Sequence, residues 1–206
     1  GWLIHDTLSA LVHPRQACAA LVAALAVKGV EIVAEAPEAG QTLWATGVAG
    51  LETLNAGHPR LVGAGIKGQA ALLQLDQGGT AQLFADGVHV IPHLDGTVAV
   101  GGTTEREYDS PDSTDAQLDA VIAKARAAVP ALQDAPVIER WAGLRPRSRS
   151  RAPMLGAWPG RPGQYIANGG FKIGFGMAPK VAEVMADLLL EGRDTIPVGF
   201  RVGDNL

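Results

Sequence analysis

Hydrophobic and polar residues follow two different periods along this chain. Apolar residues recur at three- and four-residue spacing over 13–28, 115–129 and 177–190, and this spacing predicts three amphipathic helices. Between the first two helices, β-prone runs over 66–100 are separated by Asp-Gly pairs, which are strong signals for tight hairpin turns. The pattern therefore predicts an α+β fold, with a mixed, largely antiparallel sheet flanked by helices.

Residues that end and begin helices agree with these limits. Lys28-Gly29 ends the first predicted helix, Pro130 ends the second and Gly192 ends the third. Ser113 or Thr114 is expected to cap the second helix, because a hydroxyl oxygen can accept a hydrogen bond from a free N–H of the first turn. Shorter apolar runs predict a helix over 48–54 and further strands over 30–33, 42–45, 137–141 and 164–167.

Composition limits the class of protein. The 206 residues are 47% hydrophobic, which suits one compact domain or one domain with a small lobe. The single cysteine, Cys18, cannot form an internal disulfide and is predicted to pack in the core. No run of about 18 apolar residues and no charged-then-apolar leader occurs, so we expect a cytoplasmic protein without a membrane span. The net charge of −4 argues against non-specific nucleic-acid binding over the whole surface.

A glycine-rich segment over 168–176 joins a predicted strand to the last helix. Glycine lets the backbone approach a ligand closely, and the N-terminus of the following helix offers unpaired N–H groups and the positive end of a dipole. Such a segment suits an anion or the electron-rich end of a flavin ring. The alternative is a tight turn where the strand packs on the helix. The glycine spacing matches neither the dinucleotide fingerprint nor a P-loop.

Arginine is concentrated in one segment, with five arginines in the twelve positions of 140–151. Arg145 lies between an Ala-Gly-Leu run and a proline, a setting that favours an arginine held in a pocket, and its planar fork suits a carboxylate. For Arg147, Arg149 and Arg151 the simplest interpretation is a solvated surface loop. The alternative is a patch that binds RNA or phosphate, although interleaved aromatic residues for stacking on bases are missing.

Histidine and serine patterns predict no further chemistry. The one His-x-x-x-His pair, His89 and His93, straddles Pro92 in a predicted β region and not on a helix, and the chain has no cysteine cluster and no Gly-x-Ser-x-Gly elbow. We therefore predict neither a metal site nor a serine nucleophile. The histidines are scattered over the sequence, at His5, His13, His58, His89 and His93.

Five segments, taken in order, carry a resemblance to a known family. They include Trp-Ala-Thr-Gly at 44–47, Ile-Lys-Gly-Gln at 66–69 and Trp-Ala-Gly-Leu-Arg-Pro at 141–146, together with 90–103 and 165–179. This order resembles the D-amino-acid oxidase-like family of FAD-dependent oxidoreductases, which includes glycine oxidase, sarcosine oxidase and deaminating D-amino-acid oxidases.

The resemblance implies roles for particular residues. Arg145 is expected to bind the substrate carboxylate. The implied reaction is hydride transfer to FAD from the amine-bearing carbon of a small amino acid or amine, giving an imine that hydrolyses. No protein base is obligatory for this reaction, so no catalytic residue is assigned. The residues expected to contact FAD are Thr46, Gly47, Gly169, Gly170, Phe171, Lys172 and Ile173.

Two departures from the family pattern affect this interpretation. The first is that the family's N-terminal strand–helix–strand unit, which carries Gly-x-Gly-x-x-Gly for the FAD pyrophosphate, is missing, so the chain resembles the C-terminal two-thirds of such an enzyme. Residues 1–60 and 140–206 then correspond to a remnant of the FAD-binding domain, and 61–139 to a substrate-binding antiparallel sheet domain with a helix. We expect this piece alone to bind FAD weakly and to be inactive.

The second departure follows the Leu-Arg-Pro triplet, where many family members carry an aspartate and this chain has Arg147, Arg149 and Arg151. This departure leaves the substrate class open and points to an acidic substrate or partner. The two departures together leave two alternatives to amino-acid oxidation. One is a flavin oxidase of a modified nucleotide in RNA, docked through these arginines. The other is a non-catalytic interaction module that has lost its flavin half.

Overall fold

The computed structural model describes residues 2–206 and has an α+β architecture, as the sequence predicts. The α-helices of these residues are α1 Pro14–Val27, α2 Gly47–Ala56, α3 Ala116–Ala128 and α4 Gly174–Glu191. The strands are β1 Thr42–Trp44, β2 Gly63–Gln74, β3 Leu83–Ala85, β4 Val88–Pro92, β5 Thr97–Gly101, β6 Val137–Ser148, β7 Met154–Ala157 and β8 Gln164–Asn168.

The chain forms two compact units. The first comprises Gly1–Pro37, Ala70–Gly102 and Thr114–Arg140, and the second comprises Glu38–Gln69, Thr103–Ser113 and Trp141–Leu206. The predicted division into substrate-binding and FAD-binding parts stays a prediction, because compactness does not show which residues contact a ligand.

Antiparallel pairing dominates the larger sheet, whose strand order is β3-β4-β5-β2-β6. In the first unit, ladders join β3 to β4, β4 to β5, and β5 to residues 70–74 of β2. Asp86-Gly87 connects β3 to β4 with positive φ angles of 48° and 77°, which the mirror-image hairpin turns require. Gly96 connects β4 to β5 with a φ of 81°. Both predicted Asp-Gly hairpins are confirmed.

Helix α3 supplies the core of the first unit. It buries Leu118, Val121, Ile122 and Ala125, the four positions whose spacing predicted the helix. They pack against apolar residues of β2, β4 and β5. Burying a large apolar side chain contributes about 1.5–3 kcal/mol, so this face stabilises the first unit.

The N-terminus of α3 corrects the expected cap. The Asp115 carboxylate, rather than the hydroxyl of Ser113 or Thr114, accepts the Gln117 N–H at 2.8 Å, because the helix begins only at Ala116. We predict that Asp115→Ala lowers the free energy of unfolding by about 1 kcal/mol, whereas Ser113→Ala changes it little. Urea unfolding followed by circular dichroism measures both changes, and equal effects would contradict this assignment of the cap.

The first predicted helix forms as α1, with His13 as its N-cap. It has no buried residue within the described part of the chain, and Leu21 on its apolar face is 64% exposed. Cys18 is exposed on this helix, so the prediction that it packs in the core is wrong. The predicted strand over 30–33 is also wrong, because no strand among residues 2–206 pairs with it, and alternation without a hydrogen-bonded neighbour does not make a strand.

A three-stranded mixed sheet lies at the centre of the second unit. Its middle strand, β8, is parallel to β1 and antiparallel to β7, a strand that the sequence analysis did not predict. Successive strand residues point to opposite faces of a sheet. Met154 of β7 accordingly belongs to the cluster around Leu51 of α2, and Leu155 belongs to the cluster around Val184 of α4.

Helix α4 begins three residues before its predicted start, at Gly174 rather than Met177, and includes Pro179. It ends as predicted before Gly192, whose φ of 65° is the left-handed conformation that glycine adopts without a Cβ clash. Among residues 2–206, no helix combines the length and the apolar character that a membrane crossing requires.

The arginine segment is mostly a strand. β6 continues from Val137 through Ser148, so Arg145 and Arg147 lie on it, whereas Arg149 and Arg151 lie in the following turn. The surface-loop interpretation is therefore wrong for Arg147. The sequence analysis ended this strand too early because a run of arginines carries no strand signal of its own. Pairing with the neighbouring strand of the sheet stabilises the extension of β6.

Candidate functional site

Two strand-to-helix turns of the second unit are joined by one side chain. Asn168, the last residue of β8, donates from Nδ2 to the Gly47 carbonyl at 2.7 Å, and its Oδ1 accepts the Gly169 N–H at 2.7 Å. This contact arises because β1 and β8 are parallel neighbours, so their carboxyl ends lie at the same edge of the sheet. The structure thus brings predicted cofactor residues from both turns together, with Thr46 next to Gly47.

Glycine is required where these turns pack. Gly169 has a φ of 75°, and a Cβ added there would lie 2.7 Å from the Cβ of Ser148. A Cβ added at Gly50, in the first turns of α2, would lie 2.9 Å from Nδ2 of Asn168. Gly47 differs, because no atom of residues 2–206 beyond its chain neighbours and the adjacent backbone of its own helix lies within 4 Å of the position that its Cβ would take. Gly169 therefore serves close packing, and Gly47 faces open space.

The N-terminus of α4 is largely exposed. No side chain of the described residues caps it, and Cβ atoms added at Gly174 and Gly176 would meet nothing within 4 Å. The 3-10 turn Phe171–Ile173 leads into the helix, and Ile173 and Phe175 each expose about half of their surface. The positive end of the helix dipole and the exposed apolar surface together suit the electron-rich end of a flavin ring.

Two cations flank the Phe171 ring. The guanidinium carbon of Arg147 and Nζ of Lys172 each lie 5.7 Å from the ring centroid, within the range of a cation–π interaction. Arg147 also forms an isolated antiparallel bridge with Gly170. The structure therefore places Arg147 against the glycine-rich segment, a contact that sequence reasoning missed.

The other two arginines of the proposed RNA patch have different surroundings. Arg149 is partly buried and donates to the Leu206 carbonyl at 2.8 Å. Arg151 is exposed in the turn after β6, with a φ of 69°. Since Arg147 contacts Phe171, the three side chains have three distinct settings, and RNA binding stays a prediction.

Arg145 is held by backbone carbonyls of the second unit. Its Nη1 donates to Thr103 O at 3.2 Å and to Lys67 O at 3.4 Å. Burial lowers the pKa of the guanidinium, and the charge of Glu105 opposes this shift. A Cβ added at Gly68 would lie 1.8 Å from Nη1, so glycine is needed at that position to leave room for the side chain.

A buried polar cluster lies beside Arg145. Nζ of Lys67 is 3.7 Å from Oε2 of Glu105, and both side chains are almost fully buried. Nε2 of Gln69 donates to Oε1 of Glu105 at 3.1 Å, and the Thr103 hydroxyl donates to the same oxygen. Within residues 2–206, Oε2 of Glu105 accepts no hydrogen bond. The ion pair with Lys67 therefore compensates the negative charge at this oxygen.

Arg145, Lys67 and Glu105 together carry two positive charges and one negative charge. The surplus positive charge favours one carboxylate as a ligand, because an opposite charge is attracted most strongly where water is scarce. Sequence reasoning missed Lys67, Gln69 and Glu105. The available signal was Lys67 and Gln69 within an otherwise apolar strand, since buried polar side chains need partners.

Comparison with known proteins shows the family. The profile described as DAO, FAD dependent oxidoreductase, matches residues 1–188, and the chain therefore belongs to that family. The chain is 35% identical over 126 residues to glycine oxidase of Pseudomonas putida KT2440, a match that covers 60% of this chain and 34% of that protein. It is 31% identical over 111 residues to glycine oxidase of Bacillus subtilis 168, covering 54% and 30% respectively. The matched region thus spans about a third of these relatives.

Solved structures share the fold. Glycine oxidase from Bacillus cereus ATCC 14579 superposes with a TM-score of 0.67 at 24% identity, covering 75% of this chain and 43% of that chain. Iminodiacetate oxidase from Chelativorans sp. BNC1 gives a TM-score of 0.66 at 24% identity, covering 79% and 45%. The predicted family resemblance and α+β fold are confirmed.

Proposed function

We propose that this chain is part of an FAD-dependent oxidoreductase that oxidises an amino acid or a related amine, and that Arg145 binds the substrate carboxylate. The observation that supports this function is the partly buried guanidinium, whose Nη1 is held by two backbone carbonyls beside a cluster with surplus positive charge. The relationship to glycine oxidases supports a small amino-acid substrate.

Arg145 is oriented before a ligand arrives. Lys67 and Glu105 exchange backbone hydrogen bonds of 3.0 and 2.9 Å, which hold in place the strand carrying one of the carbonyls that bind Nη1. A guanidinium held in this way loses little further freedom on binding, so more of the interaction energy contributes to affinity. The remaining N–H groups are then available to a carboxylate.

The glycine turns would hold the ring end of FAD. Thr46, Gly47 and 169–173 supply backbone groups, and the N-terminus of α4 favours negative charge beside them. When bound, FAD supplies the acceptor for the hydrogen and electron pair removed from the amine-bearing carbon. The residues present fit this end of the cofactor. The one Gly-x-Gly-x-x-Gly segment of the 206 residues, at 63–68, lies within strand β2 and not at a turn before a helix, so it lacks the setting of a pyrophosphate site.

A ligand titration tests the carboxylate site. We expect glycine to shift the Nε–Hε resonance of Arg145 in a two-dimensional nitrogen–proton NMR spectrum, and we expect methylamine, which lacks the carboxylate, to leave it in place. The reason is that the proposed site recognises the carboxylate through the guanidinium. Equal shifts with the two ligands, or no shift with glycine, would remove Arg145 from the proposed site.

A further inference from the structure

Three potential metal ligands meet in the first unit. Nε2 of His13 lies 3.1 Å from Oδ2 of Asp95, and the His93 ring is stacked on the His13 ring with centroids 4.1 Å apart. Each of the three residues has one ligand atom, a ring nitrogen or a carboxylate oxygen, that lies within 4.8 Å of the ligand atoms of the other two. His13 is the N-cap of α1, whereas His93 and Asp95 lie in the turn that joins β4 to β5.

The hairpin turn orients its two side chains. Oδ1 of Asp95 accepts the Thr97 N–H at 3.1 Å and the Thr97 hydroxyl at 2.7 Å, which leaves Oδ2 directed to His13. Nδ1 of His93 lies 3.2 Å from the same hydroxyl oxygen. Because that hydroxyl donates its proton to Asp95, it accepts from His93, and Nδ1 therefore carries the ring proton. Hydrogen bonds of this kind around ligands fix their tautomer and direction in metal sites.

The distances and ligand types suit zinc. Two ligand atoms on a tetrahedral zinc ion, with bonds of about 2.05 Å, are about 3.3 Å apart, close to the separation of His13 Nε2 and Asp95 Oδ2. Two imidazoles and one carboxylate are typical ligands of zinc and related transition metals, while magnesium and calcium prefer oxygen. His93 is 4% exposed, but the Asp95 side chain is 35% exposed, so an ion has a route from solvent.

We propose that His13, His93 and Asp95 bind a zinc-like divalent transition metal that attaches the first turn of α1 to the β4–β5 hairpin. In the metal-free chain the ring proton of neutral His13 lies on Nε2 and is donated to Asp95; metal binding moves this proton to Nδ1, which frees the Nε2 lone pair for the ion. The ring proton of His13 then lies on Nδ1, so the long contact of 3.4 Å from the Gln16 N–H is given up in exchange for the metal bond. With three protein ligands, one position remains for water.

Zinc titration of the purified 206-residue chain tests this proposal. We expect one zinc ion per chain by calorimetry, a d–d absorption spectrum of tetrahedral type with cobalt, and no saturable binding of magnesium. Zinc should also slow tryptic cleavage after Arg15, because the ion ties the first turn of α1 to the hairpin. His13→Asn and Asp95→Asn should each weaken zinc binding by at least about tenfold, since even the loss of an outer-shell partner costs that much.

The variants separate metal binding from loss of structure. Asparagine at position 13 keeps a side chain that caps helices well, and Asp95→Asn keeps the shape of the carboxylate. His89→Asn removes an exposed histidine of β4 that lies against Phe84, outside the cluster, and should bind zinc like the original chain. Absence of zinc binding, or equal affinity in all three variants, would reduce the cluster to a structural hydrogen bond between α1 and the hairpin.

Discussion

Glu105→Gln is expected to lower the free energy of unfolding by about 3–5 kcal/mol, as observed when one partner of a buried ion pair is removed. The substitution keeps the shape of the side chain but leaves Lys67, whose side chain is 3% exposed, without its counter-charge. It also changes the charge of the cluster with Arg145 from one surplus positive charge to two. Urea unfolding of the purified chain measures the difference.

Two further variants show whether charge is the cause. Glu107→Gln, at an exposed position two residues away, should change stability by less than about 0.5 kcal/mol. Lys67→Met combined with Glu105→Gln restores a single surplus positive charge and should recover most of the loss. A Glu105→Gln protein as stable as the original, or a double variant less stable than Glu105→Gln alone, would contradict this account of the cluster.

Arg145→Lys is expected to weaken glycine binding by about tenfold to a hundredfold. An ammonium group keeps the positive charge but cannot donate two parallel hydrogen bonds to a carboxylate, and a hydrogen bond to a charged group contributes about 1.5–3 kcal/mol. The glycine dissociation constant is measured by NMR titration of backbone amides near the site, since the variant has no arginine resonance at position 145.

Arg147→Lys is the matched control for this prediction. It makes the same change two residues further along β6, where the guanidinium contacts Phe171 rather than the carbonyls that bind Arg145. Its glycine affinity should stay within about threefold of the original, a difference of less than about 1 kcal/mol. If Arg145→Lys and Arg147→Lys weaken glycine binding equally, the carboxylate site does not depend on Arg145.

Features decided by nearby residues could be predicted from the sequence. The Asp86-Gly87 turn forms because these residues tolerate positive φ, and α3 forms because its apolar residues share one face. The same local reasoning placed the cap of α3 at Ser113 or Thr114, and it failed there. A cap depends on where the first helical residue lies, and several neighbouring polar residues satisfy the pattern equally well.

Features that need a partner distant in sequence were predicted less well. The run over 30–33 has the alternation of a strand, but no strand in the described part of the chain pairs with it. The opposite error occurred at Arg147, where strand β6 continues through residues that have no strand pattern. Hydrogen bonds to a neighbouring strand decide both cases, and a single run of residues does not reveal its neighbour.

The sequence by itself determined the family and the α+β fold, because these rest on motifs and local periodicity. The motifs also identified Arg145 as the residue to test for binding of a carboxylate. Only the tertiary structure decided what surrounds that arginine: Glu105 reaches Lys67 across a bridge between distant parts of the chain. Similarly, His13 and Asp95 are 82 residues apart, and no spacing rule predicts their contact. Such clusters arise when packing brings remote side chains together, so their chemistry becomes visible only in the folded chain.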